Sequence, residues 1–262
     1  MTKRIALFGG VYSNHLALTA LLEDAPKHGA AEIYCLGDLG AFGPHPDKVF
    51  PLLREAKIPV VQGNYDNSVG NGLADCQCGY TDPKDNYFAR LSYDYTFRNT
   101  APKNKLWMRS LPNEIRTVLN GVRILLCHGS PRKTNEFLWQ TTTSAAFLEQ
   151  LCDRYDADII VGTHTGLHWH RRLPSGRHFI NCGAIGRPAN DGRTNVCYAL
   201  LSIDGGKDVS VEFIPLEYDH AKLAAEMRAE ELPNEFIETI ETGWWTTCLE
   251  VLPMKERARG VY

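Results

Sequence analysis

Apolar positions at the start of the chain follow two rhythms. Residues 4–8 and 33–36 are short, nearly continuous apolar runs. Such runs predict strands buried on both faces. Between them Leu16, Leu18, Leu21 and Leu22 form an apolar face over two helical turns, and Asn14 stands where a helix cap belongs. Pro46 and Asp47 open a second helical pattern carrying Val49, Phe50, Leu52 and Leu53. Residues 59–61 predict a third strand. This strand–helix alternation implies parallel strands joined by helical crossovers.

Over residues 66–100 the rhythm fades. Gly70, Gly72, Gly79 and Pro83 interrupt it, and Cys76 and Cys78 lie inside. A long excursion with one helix over residues 88–95 is expected, and loops of this length are often functional. Strands resume at residues 122–127 and 158–161, with a helix over 144–155 between them. Further strands are expected at 168–173, 178–181, 196–203 and 209–215. The turns Pro174-Ser175-Gly176 and Asp204-Gly205-Gly206 suit hairpins. An antiparallel half is thus joined to a parallel half. A helix over 221–232 and a tail containing Trp244 and Trp245 close the chain, the tail packing on the core. One α/β domain over residues 1–217 is expected, with 218–262 as a helical extension packed on it.

Composition narrows the function classes. The 262 residues are 44% hydrophobic and 23% charged, which fits a globular domain rather than a disordered one. The formal charge is -3, and no basic run exceeds two residues, so no nucleic-acid face is expected. No apolar run approaches the roughly 18 residues of a membrane span, so no membrane partner is expected. The apolar run after Met1 is too short for a signal peptide. A cytoplasmic chain with reduced thiols is therefore expected for its eight cysteines. Cys35, Cys127 and Cys197 read as small core residues. Cys76 and Cys78, a single close pair, are weak evidence for zinc. They are either free loop thiols or thiolates reaching over a site.

The candidate chemistry lies where strands end. Five polar, glycine-containing turns follow predicted strands, at residues 9–14, 37–40, 63–66, 128–131 and 162–166. In open α/β sheets ligands bind beyond the carboxyl ends of strands. These turns carry Asp38, Asn64, His128 and His164. Carboxylate, amide oxygen and imidazole suit Mn, Fe or Zn ions. Each residue has a plainer reading: Asp38 as a cap, Asn64 as a turn stabiliser, His128 as a hydrogen-bonded core residue. Their coincidence on successive turns favours a site. His168 and His170 alternate along a strand and read mainly as strand residues.

Four stretches carry a resemblance: LGDLGAFGPHP at 36–46, QGNYD at 62–66, CHGSP at 127–131 and NCGAIG at 181–186. With their order and flanking strands, residues 3–203 resemble the calcineurin-like metallophosphoesterases, especially small bacterial phosphodiesterase-type members. The resemblance implies a four-layer α/β/β/α sandwich of two mixed sheets. It implies hydrolysis of a phosphate ester at a two-metal centre. This sequence departs from that pattern at Gly10 and Tyr12, where the family has an aspartate and a histidine. It departs again at Tyr65, in place of a histidine, and at Thr163 and Thr165, in place of two more.

Asp38, Asn64 and His128 carry over as metal ligands. The expectation is therefore one divalent ion (Mn, Fe or Zn) rather than two, with His164 as a fourth ligand after a one-residue shift. Tyr65 and His164 are expected to handle the proton or the phosphate. Tyr12, Asn14 and Thr163 are expected to touch the substrate, a phosphorylated small molecule or phosphoprotein. Two other readings stay open. One is a non-catalytic binding module on the same fold. The other is an enzyme whose redox-active metal is held partly by Tyr or Cys. The sequence sets no oligomeric state.

Overall fold

The computed structural model describes residues 1–258. Among them the strands are β1 (Lys3–Phe8), β2 (Glu32–Cys35), β3 (Glu114–Leu119), β4 (Val122–Cys127), β5 (Ile159–Gly162), β6 (His168–Arg172), β7 (His178–Cys182), β8 (Val196–Ile203) and β9 (Val209–Leu216). They form two sheets, ordered β2-β1-β8-β9 and β3-β4-β5-β7-β6. Both are mixed. β1 runs parallel to β2 and antiparallel to β8. β4, β5 and β7 are mutually parallel, flanked by antiparallel β3 and β6.

Alternation along the strands stacks the layers, because successive side chains face opposite sides of a sheet. Ile5 and Leu7 join Leu201, Ile203, Ile124, Leu126 and Val161 in the core between the sheets. Ala6 and Phe8 point the other way, onto Leu18 and Leu21 of α1 (His15–Asp24) and Phe50 and Leu53 of α2 (Val49–Glu55). On the far side Leu125, Ile160 and Phe179 pack against Leu148 and Leu151 of α6 (Ala145–Arg154). The result is the expected four-layer sandwich, with helices covering both outer faces. No helix among the described residues is long and apolar enough to cross a membrane.

Several expectations are corrected. Residues 59–61 form no strand, only a bridge from Val60 to Cys35. Pro59 has no N–H to extend the ladder, and the chain turns at Gly63. The stretch beyond residue 63 is not a loop with one short helix. It holds α3 (Asn64–Asn71), α4 (Pro83–Asn99) and α5 (Pro102–Arg109). Asp82 caps α4, accepting from Lys84 N at 2.8 Å, and Pro83 starts it. The buried face of α4 is Phe88, Ala89, Ser92, Tyr93 and Thr96. These small, hydroxylated and aromatic residues left the apolar period faint.

β3 was also unforeseen. It pairs with β4 across Asn120-Gly121, both in the left-handed region at φ 49° and 80°. Asn-Gly is a strong hairpin signal. Near the C-terminus, α7 (His220–Ala229) and α8 (Asn234–Thr242) lay Leu223, Met227, Phe236 and Ile240 against Phe88 of α4. Trp245 is buried as expected, with Nε1 donating to Pro188 O at 2.7 Å.

Candidate functional site

Three of the polar turns bring Asp38, His128 and His164 together. One ligand atom from each lies within 4.8 Å of the others, and all three residues are buried. Asp38 follows β2, His128 follows β4 and His164 follows β5. The second and third strands are neighbours in one sheet; the first belongs to the other. The cluster therefore straddles the ends of both sheets. Asp38 and His164 sit at φ 57° and 67°, a left-handed conformation that is uncommon outside glycine. Backbone held that way is often found where side chains are aimed at a ligand.

Hydrogen bonds fix how the cluster faces. His128 Nδ1 lies 2.6 Å from Leu36 O. A carbonyl only accepts, so Nδ1 carries the proton. Nε2 is therefore the nitrogen that faces the cluster, the one a metal-binding imidazole would use once it gives up its proton. Nε2 lies 3.3 Å from Asp38 Oδ2 and 3.2 Å from His164 Nδ1. Asp38 Oδ1 accepts from Tyr65 N at 3.0 Å. Gly63 permits that approach, since a Cβ there would sit 2.3 Å from the same oxygen.

Burial acts on each group, and its neighbours decide the outcome. Burial raises Asp38, yet the His128 charge and hydrogen bond bring its pKa below the ordinary value. Burial lowers His128, and the Asp38 carboxylate more than reverses this. Burial, then the His128 charge, push His164 down to about 3. His164 is thus a neutral imidazole near pH 7.

Asn64 opens α3 beside this cluster. Its Nδ2 donates to Cys76 O at 2.9 Å and to Cys78 Sγ at 3.4 Å. Its Oδ1 is buried with no hydrogen-bond partner. An orphaned buried acceptor is costly unless something satisfies it. A cation does so, and a carboxylate, an amide oxygen and imidazole nitrogens form a donor set for Mn, Fe or Zn. These donor types fit a divalent metal ion.

Asp66, to which sequence reasoning gave no role, braces these turns. Its Oδ2 accepts from Asp38 N and Gly63 N, each at 2.8 Å, and Oδ1 from Leu39 N at 3.1 Å. Burial and the nearby Asp38 charge raise it to about 6. Its place at the end of the QGNYD stretch was the available signal.

A roof covers the cluster. The Phe137 ring lies 4.3 Å from that of His164 and stacks on Trp139 and Tyr80. Asn135 Nδ2 donates to Gln77 O at 2.7 Å, tying the two covering loops together. Cys76 and Cys78 are joined by a disulfide, which corrects the expectation of reduced loop thiols. Two residues apart on a turning loop, their Cα atoms stand 5.3 Å from each other, within bonding reach.

The remaining predicted residues lie elsewhere in the fabric of the fold. The Tyr65 hydroxyl donates to Ser92 Oγ at 2.9 Å, and burial raises its pKa well above the ordinary value. This geometry gives no support to Tyr65 as a proton donor. Asn14 caps α1, accepting from Ala17 N at 3.0 Å, and its amide donates to Gly186 O at 3.3 Å. The Thr163 hydroxyl donates to Gly183 O. Tyr12 fills the space over Gly10, where a Cβ would meet its Cζ at 2.9 Å. His168 packs on Phe213, and His170 pairs with His178, so neither joins the cluster.

Comparison with known proteins agrees with this architecture. A calcineurin-like phosphoesterase superfamily domain matches residues 4–206. An uncharacterised protein of Methanocaldococcus jannaschii is 25% identical over 245 residues, 88% of this chain and 94% of that protein. The crystal structure of a metallophosphoesterase from Sphaerobacter thermophilus is 26% identical with a TM-score of 0.68, covering 93% of this chain and all of that one (100%). A hypothetical protein from Pyrococcus horikoshii OT3 shares the fold, at a TM-score of 0.75 and 20% identity over 93% of this chain and 99% of its own. With the sandwich, the strand-end turns and a match across most of its length, the chain belongs to the calcineurin-like phosphoesterase superfamily.

Proposed function

We propose that this protein hydrolyses phosphate esters at a centre holding one divalent cation through Asp38, Asn64 and His128, with His164 beside them. The observation that carries this reading is the unsatisfied Asn64 Oδ1 next to the Asp38–His128–His164 cluster. A cation of the Mn, Fe or Zn type would polarise a phosphoryl oxygen there and make water more acidic.

The chain's own groups set the rest. Leu36 O keeps a proton of His128 on Nδ1, so its other nitrogen faces inward and would present a lone pair to a bound cation. Asp38 supplies the negative charge of the donor set and is held in place by Tyr65 N and, through the backbone, by Asp66. His164, neutral near pH 7, offers a nitrogen lone pair for coordination; it is not an acid. Phe137 and its stacked neighbours exclude water, and they must part to admit an ester. Both a phosphorylated small molecule and a phosphoprotein remain within this reading.

The test is hydrolysis of 4-nitrophenyl phosphate and bis(4-nitrophenyl) phosphate by protein loaded in turn with Mn²⁺, Fe²⁺ and Zn²⁺. Turnover that disappears in Asp38→Ala and falls in Asn64→Ala supports the proposal. The closed roof favours a second reading, a non-catalytic binding module. Metal-loaded protein that turns over neither ester would leave that reading in place.

A further inference from the structure

Arg187 stands out among the buried groups. It is 5% exposed, and its Nε is fully buried with no hydrogen-bond partner. Among the described residues no carboxylate lies within ion-pair distance of it. The acid of the site, Asp38, is already engaged with His128. The guanidinium lies instead over three rings: Trp245 at 3.6 Å, Phe42 at 4.7 Å and Tyr12 at 5.8 Å. Ring faces attract a cation and offset part of the cost of burial. A buried ion nevertheless calls for an opposite charge and for hydrogen bonds to its remaining donors.

Its position is set by backbone bonds. Ile185 N donates to Gly9 O at 3.1 Å and Gly186 N to Gly10 O at 2.8 Å. The loop after β7 is thereby stitched to the turn after β1, and Arg187 follows directly. On its other side, Nη2 lies 3.4 Å from the point where a Cβ on Gly166 would stand, two residues beyond His164. The Tyr12 phenol feels both the Arg187 and the Asp38 charge, with opposite sign. Arg187 thus flanks the half of the crevice where Gly10, Tyr12 and Thr163 offer no acidic or imidazole ligands.

We propose that Arg187 is the phosphoryl anchor of this site, its guanidinium binding phosphate oxygens on the side of the crevice that carries no second set of metal ligands. The fork of guanidinium N–H groups matches two oxygens of a phosphate, and its charge is permanent. It supplies in fixed form a positive charge that a second cation would otherwise provide. This inference rests on the phosphoester reading for its chemistry, but its readout is binding rather than turnover.

The experiment is calorimetric titration of inorganic phosphate into Mn²⁺-loaded wild-type protein, Arg187→Gln and Arg187→Lys, with metal content and thermal unfolding measured on each. Loss of charge-assisted hydrogen bonds should weaken phosphate binding by about tenfold or more in Arg187→Gln. Arg187→Lys should lose less, since it keeps the charge but not the fork. Metal content should be unchanged in both. A purely structural cation predicts lower thermal stability with unaltered phosphate affinity, and that result overturns the proposal. So does a wild-type protein that binds no phosphate.

Should Arg187→Gln fail to fold, the Nε–H resonance of Arg187 in the wild-type protein, assigned by its absence from Arg187→Lys, must shift on phosphate addition. A resonance that stays put overturns the proposal too. Phosphate binding through Arg187 without hydrolysis of any ester would leave this inference standing and remove the hydrolase reading.

Discussion

Asp38, His128 and His164 bring ligand atoms within 4.8 Å of one another, and the neighbouring Asn64 Oδ1 is buried and unpaired. Around Gly10, Tyr12 and Thr163 the crevice carries no acidic or imidazole ligand. The Tyr12 ring lies over Gly10, and the Thr163 hydroxyl is bound to Gly183 O. Both halves are made of turns that follow strands. Chain topology therefore delivers residues to the crevice, while residue identity decides whether the space can hold a cation. Strand ends supply positions, and only side chains with free lone pairs convert a position into a ligand.

The largest expected effect lies on the polar half. Asp38→Ala should lower metal affinity by more than about 100-fold, beyond the loss seen when supporting groups are removed. Equilibrium dialysis with Mn²⁺ measures this, and retained affinity would take Asp38 out of the centre. Asn64→Ala should cost about 10- to 100-fold in the same assay. An unchanged value would mean that its orphaned oxygen faces no cation.

At Thr163 and Tyr65 the expected effects are structural. Thr163→Val removes a buried hydrogen bond and should cost about 1 kcal/mol of stability while leaving metal affinity unchanged. Denaturant unfolding and dialysis together check both parts. A fall in metal affinity would blur the contrast between the halves. Tyr65→Phe leaves Ser92 Oγ without its partner and should again cost about 1 kcal/mol, with kcat unaltered. A large drop in kcat at constant fold would restore Tyr65 as a proton donor.

The smallest effect lies away from the crevice. Burial, then the His170 charge, lower His178 from 6.5 to about 4. The unfolded chain binds this proton more readily than the folded one between those values. Stability from this group is therefore complete above about pH 6.5 and is lost as pH falls toward about 4. In His178→Phe the unfolding midpoint should depend less on pH across that window. A slope equal to the wild type would show that this imidazole titrates normally.

Much of the fold was legible because β1, β4, β5 and β8 are continuous apolar runs and because Pro174-Ser175-Gly176 and Asp204-Gly205-Gly206 announce hairpins. α4 was barely legible, since Ser92, Tyr93 and Thr96 pack through hydroxyls and rings that a hydrophobic pattern discounts. β3 hid behind an alternating charged sequence, although Asn120-Gly121 marked its hairpin.

At the candidate site, Asp38, Asn64 and His128 were readable from glycine-flanked turns. The approach of His164 to His128 was less so, because it depends on a left-handed backbone at His164 that sequence does not display. Asn14 and Thr163 look like ligand-binding residues in sequence, yet they hold loops. A polar side chain on a turn serves either end, and only its hydrogen-bond partners distinguish the two. Arg187 gave no local signal, because its lack of a counter-ion is a property of the packed fold.

The central claim is one cation held by the polar half alone. Elemental analysis of protein purified without chelators and then saturated with Mn²⁺ tests it most directly. About one ion per folded chain, lost in Asp38→Ala, is the predicted result. Two ions, or none, would contradict it.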